Sequence, residues 1–74
     1  MNQYRVLIQA PDSTGLIYKA AKVFFENGLN IITNHEFVDN EQNIFFMRSV
    51  VSGDIDAKRL GDLLSAALPA EISL

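Results

Sequence analysis

An α+β sandwich is the fold class this sequence predicts, with an antiparallel sheet carrying two helices on one face. Three observations carry the prediction. Two segments repeat apolar residues at helical spacing, one from Leu16 to Phe25 and one from Leu60 to Leu68. Other segments are rich in β-branched and aromatic residues, the mark of strands. Clusters of Pro, Gly, Asp and Asn punctuate the runs, so the order reads βαββα with a short final β.

The elements follow in turn. "YRVLIQA" (Tyr4–Ala10) is apolar enough for a buried first strand, and Pro11 with Asp12 turns the chain. Between Thr14 and Asn27, apolar residues fall at Leu16, Ile17, Ala20, Ala21, Phe24 and Phe25, with Lys19, Lys22 and Glu26 turned outward. Asp12 or Ser13 is placed to cap this helix, and Gly28 stands at the usual position just past its end. "LNIITNHEFV" (Leu29–Val38) predicts a second strand whose alternation Asn30 and Asn34 interrupt. The polar loop "DNEQN" (Asp39–Asn43) leads into a third, "IFFMRSVVS" (Ile44–Ser52). Gly53 and Asp54 then turn the chain into a helix whose apolar face is Leu60, Leu63, Leu64, Ala67 and Leu68, and Pro69 ends it. Asp54 and Asp56 at its start complement the helix dipole, a structural role. The closing "AEISL" opens a fourth strand, cut short. A fourteen-residue helix spans ~21 Å and a seven-residue strand ~23 Å, so the layers match in length. Two right-handed βαβ-type units packing their helices on one side give the ferredoxin-like βαββαβ sandwich.

Composition bounds the function. A chain of 74 residues is a single domain, and at that size only about 60% of the unfolded surface is buried. The net charge is −3 and the six basic residues are scattered, so the basic footprint of a nucleic-acid binder is missing. With no cysteine there is no disulfide, thiolate metal site or thiol nucleophile. The first residues lack a signal-peptide pattern, and no apolar run nears the ~20 residues that span a bilayer. A cytoplasmic location is the expectation.

The third strand is apolar on both faces. Ile44, Phe46 and Val50 lie on one side, Phe45, Met47 and Val51 on the other. Helices cover one side of such a sheet and the other is ordinarily polar. A second copy or a neighbouring domain covering the open face is therefore expected.

Candidate chemistry is sparse. "NIFFMRSVV" superficially suggests the aromatic strands of RNA-binding modules, without their basic-glycine-aromatic pattern. His35 is the single histidine and no serine or carboxylate is marked as its partner, so a strand histidine at a sheet face or interface is favoured over a general base. Gly15 belongs to neither a dinucleotide fingerprint nor a Walker loop. It lies instead where a helix N-terminus leaves free N–H groups, and without a Cβ it admits a ligand close to the backbone. Amides for a carboxylate and Asp12 for an amine describe a receptor for a zwitterion, with Asn30 of the same or an adjacent subunit as a further wall. The alternative is that Gly15 only turns the chain and Asp12 only caps. The residues leave both open.

"PDSTGLI", followed beyond the helix by "GLNI", resembles the signature of ACT domains, small βαββαβ modules that commonly sense amino acids. "NHEFVDNEQNIFFMRS" is similar to the second and third strands of the N-terminal ACT domain of bacterial formyltetrahydrofolate deformylases, and "LLSAALP" fits their second ACT helix. The resemblance implies a parent enzyme that hydrolyses 10-formyltetrahydrofolate to formate and tetrahydrofolate, linking one-carbon balance to purine synthesis. Its catalytic residues would lie in a domain beyond Leu74, so none is carried over, and this chain holds no cofactor or metal. What carries over is regulatory. Asp12, Ser13, Thr14, Gly15 and Asn30 match the effector-binding positions, glycine or methionine is the implied effector, and the domains pair side by side or back to back. Many ACT loops have proline before the glycine, and Thr14 in its place leaves this loop less pre-set. A free-standing ACT regulator acting through a partner protein is the other reading.

Overall fold

Residues 2–74 are described by a computed structural model. Along the chain come β1 (Asn2–Pro11), α1 (Leu16–Glu26), β2 (Asn30–Asp39), β3 (Ile44–Gly53), α2 (Ala57–Ala67) and β4 (Glu71–Ser73), the expected βαββαβ order. The strands form one antiparallel sheet in the order β2-β3-β1-β4. The central pair runs from Asn2 opposite Gly53 to Pro11 opposite Ile44.

Period-two alternation sorts the central strands. Val6, Ile8 and Ala10 of β1 and Phe45, Met47 and Val51 of β3 are buried under the helices. Leu60, Leu64 and Leu68 close the core from α2, with Leu63 and Ala67 half-buried beside them, so the predicted face of this helix stands. Ile44, Phe46 and Val50 point to the uncovered face and are half-buried. The two-sided character of β3 is thus real.

The first helix differs from its prediction. It begins at Leu16 rather than Thr14 because Gly15, its N-cap, sits at φ 85, a left-handed conformation that cannot continue a helix. Neither Asp12 nor Ser13 caps it: no side chain accepts from the first turn. Val23 joins Leu16, Ala20 and Phe24 in the core, whereas Ile17 and Phe25 are 44% and 83% exposed. Ile17, Ala21 and Phe25 form one i,i+4 row, rotated off the row that meets the sheet. The apolar stripe is wider than the surface it can cover.

Gly28, at φ 70, ends α1 as predicted. The Leu29 N–H donates to the Phe24 carbonyl at 2.9 Å and the Gly28 N–H to Phe25 at 3.2 Å, the paired bonds of a Schellman turn. Leu29 is thereby delivered to the core ahead of β2 rather than within it. A bulge at Ile32, between Ile31 and Thr33, explains the broken alternation of this edge strand.

At α2, the Asp56 carboxylate accepts from the Arg59 N–H at 3.2 Å, while Asp54 lies outside the helix and caps nothing. Leu68 is extended, as a residue before proline must be, and the helix stops. Asp56→Ala is expected to cost about 1 kcal/mol in urea unfolding, the usual worth of an N-cap; an unchanged midpoint would show that the cap contributes nothing. Among the described residues no helix is long and apolar enough to cross a membrane.

Candidate functional site

Two concavities carry the residues that could bind something. The first lies at the start of α1. Asp12, Ser13 and Gly15 from the loop, the first helical turn, Glu36–Val38 of β2 and Phe45 enclose about 260 Å³. The loop is fixed to the β2–β3 hairpin by Asp12, whose N–H donates to the Asn43 carbonyl at 2.9 Å. The first backbone bond into the helix comes from Lys19 to Gly15, at 3.0 Å, so the earlier N–H groups have no acceptor within the helix. The first turn holds no acid to offset the positive end of the helix dipole.

Opposite those amides stands a carboxylate that sequence reasoning missed. Glu36 lines the cavity, and its Oε2 accepts from the Asn34 amide. The Asn34 oxygen accepts in turn from the Ser49 hydroxyl at 2.6 Å. Ser49 is the buried polar residue of the core, so this short chain of bonds anchors Glu36 from inside. Spacing carried the signal, since Asn34, Glu36 and Val38 share one face of β2. The bulge at Ile32 concealed it.

The predicted site residues divide. Asp12, Ser13 and Gly15 come together around the cavity, and Thr14 completes the turn without lining it. Asn30 does not join them within the chain. It pairs with Ser52, while Val38 and Asp39 pair with Phe45 and Ile44 at the other end of the sheet. Glu36, the nearest residue of the cavity wall, lies six positions further along the strand, roughly 20 Å away. The same-chain wall is Glu36–Val38.

The second concavity is the open face of the sheet, a groove of about 540 Å³. Leu7, Gln9, Phe37, Phe46, Arg48 and Glu71 are among its lining residues. The rings of Phe37 and Phe46 stack with centroids 4.9 Å apart and planes 19° apart. His35 also lines this groove, opposite Arg48 on the neighbouring strand. Phe37 borders both concavities.

This fold recurs in known structures. An ACT domain protein from Streptococcus pneumoniae superposes with a TM-score of 0.79 over 95% of this chain and 83% of its own, at 24% identity. A formyltetrahydrofolate deformylase from Burkholderia mallei gives 0.84 over 99% of this chain and 27% of its own, at 14% identity. The chain has the ferredoxin-like βαββαβ fold that these structures share, the ACT domain protein among them. No family model matches it. Sequence narrows the class: the formyltetrahydrofolate deformylase of Haemophilus influenzae is 39% identical over 66 residues, 89% of this chain and 24% of that enzyme. The chain is homologous to a segment of formyltetrahydrofolate deformylases, as its hairpin motif implied, and spans about a quarter of their length.

Proposed function

We propose that this chain is the N-terminal regulatory domain of a formyltetrahydrofolate deformylase, a dimerising module that responds to an amino acid. The enzyme so built hydrolyses 10-formyltetrahydrofolate in the cytoplasm, and a tetrahydrofolate derivative is the substrate of that whole enzyme rather than a ligand of this domain. The observation that supports the reading is the cavity at Gly15. Backbone amides at a helix N-terminus suit a carboxylate, and the facing Asp12 and Glu36 suit an ammonium group. A partly buried helix terminus contributes up to ~2 kcal/mol, short of the ~4 kcal/mol that millimolar binding requires. Glu36 and the neighbouring β2 residues supply the second wall that closes the gap. An effector held there favours one arrangement of the paired domains and so biases the catalytic domains attached to them.

Titration calorimetry with glycine and methionine is the direct test. Gly15→Ala places a methyl in open space at φ +85, where no protein atom lies within 4 Å. It is expected to cost about 1–2 kcal/mol of stability through left-handed strain and to weaken effector binding. Heats that are absent for both amino acids, or indifferent to the substitution, would remove the effector role.

One observation favours a second reading, a free-standing regulator that acts through a partner protein. This chain covers 83% of the ACT domain protein from Streptococcus pneumoniae, so a protein little larger than this domain exists with the same fold. A formyltransferase-like continuation of the gene past Leu74 decides for the first reading and a stop codon for the second.

A further inference from the structure

We propose that Asn27–Gly28 is a latent self-modification site, held unreactive by the turn that ends α1 and unable to reset once it has reacted. Six asparagines are present, and Asn27 is the one that a glycine follows. That pair carries the chemistry by which a chain attacks itself. The Gly28 backbone nitrogen bonds to the side-chain carbonyl carbon of Asn27. The bond from that carbon to Nδ2 breaks, and Nδ2 leaves as ammonia with the Gly28 amide proton. Water then opens the cyclic imide at either carbonyl. One route leaves aspartate, the other an isoaspartate whose main chain runs through the side chain. A branched residue after asparagine crowds the attack, as Ile31 does after Asn30 and Ile44 after Asn43, whereas glycine leaves it open.

The fold occupies both reacting groups. The Gly28 N–H donates to the Phe25 carbonyl at 3.2 Å, and Asn27 Nδ2 donates to the Val23 carbonyl at 2.8 Å. Nucleophile and electrophile are each tied to a different carbonyl of α1, so neither swings toward the other while the turn is closed. Leu29 anchors the turn in the core, but Gly28 is exposed and Asn27 only half-buried. Helix ends of this kind open locally far more often than a whole domain unfolds. Reaction therefore proceeds through the opened turn, and its product cannot close as before. The new carboxylate has no donor for the Val23 carbonyl. It stands at the negative end of the helix dipole beside Glu26, where no basic residue in the last turn offsets it. An isoaspartate also lengthens the backbone just ahead of Leu29, which the turn delivers to the core.

Peptide mapping by mass spectrometry, after timed incubation of the 74-residue chain at mildly alkaline pH, tests this. Unfolded in urea, the chain is expected to convert Asn27 ahead of every other asparagine. Folded, it should react at the same residue roughly tenfold or more slowly, since two hydrogen bonds must first break. Below the unfolding transition the rate should stay flat with added urea, because opening the turn exposes little surface. Asn27→Asp is expected to raise the unfolding equilibrium constant roughly fivefold or more. A folded chain that reacts as fast as the unfolded one overturns the protective role of the turn. A rate that climbs with urea as steeply as global unfolding places the reaction in the unfolded chain and overturns the local gate. Earlier conversion of another asparagine in the unfolded chain removes Asn27 as the site. An Asn27→Asp chain as stable as the unmodified one overturns the failure to reset.

Discussion

Phe24→Ala is expected to remove about 3–5 kcal/mol of folding stability, while Phe25→Ala, one residue along, changes it by less than about 0.5 kcal/mol. The two phenylalanines sit on the same helix and differ in exposure, 1% against 83%. Phe24 is held in the core, and its carbonyl accepts the Leu29 N–H that closes α1. Truncation leaves a cavity that neighbouring elements, tied together by the sheet, fill only in part. A domain of 74 residues has roughly 4–11 kcal/mol in total, so the loss consumes a large share of it. Urea unfolding of both variants measures the contrast. Equal midpoints would mean that α1 is rotated from the orientation described.

The second large effect lies where α1, β2 and β3 converge. A Cβ added at Gly53 would stand 2.3 Å from Leu29 Cδ2, closer than atoms can approach. Leu29 is buried and its backbone is fixed by the Schellman turn, so its side chain has few other rotamers to take. Gly53→Ala should therefore cost about 1–3 kcal/mol, the range for an overfilled core. Leu29→Ala should cost about 2–5 kcal/mol through the opposite defect, a void. Combined, the substitutions should be strongly non-additive, because the new methyl occupies space that the leucine vacates. Simple additivity in the double-mutant cycle would show that the two positions do not meet.

Much of this was legible beforehand, for reasons that individual residues make clear. The second helix is legible because Leu60, Leu64 and Pro69 each act locally, as two turns of a single stripe and a stop. The sequence marks Asp56 only as a charge at the helix start, and the structure makes it the cap. The end of the first helix was equally plain, since Gly28 needs its positive φ whatever surrounds it. The start of that helix is ambiguous in sequence because two rules conflict at Gly15. A glycine can admit a ligand or adopt a left-handed cap, and only the backbone angle shows that it caps by conformation and leaves Asp12 and Ser13 free. Phe25 falls outside the core although it shares the apolar stripe, because helical spacing records which residues are apolar, not how wide a stripe the sheet can cover. The cavity was half visible. Its loop is contiguous in sequence, but its far wall, Glu36–Val38, arrives through strand pairing, and one inserted residue at Ile32 shifts the faces that a simple alternation assigns. Asn30 opens β2 as its sequence predicts, but whether it reaches the Gly15 loop depends on strand register, which pairs it with Ser52 at the other end of the sheet.

That inserted residue has a consequence for solubility. β2 forms an outer margin of the sheet, and its free amides and carbonyls, flanked by Ile31, Ile32 and Phe37, offer a template on which extended chains could accumulate into fibrils. An offset in the backbone at Ile32 breaks the even spacing that in-register growth requires and twists the margin away from flat stacking. The irregularity that hid the pattern also protects the chain from runaway self-templating.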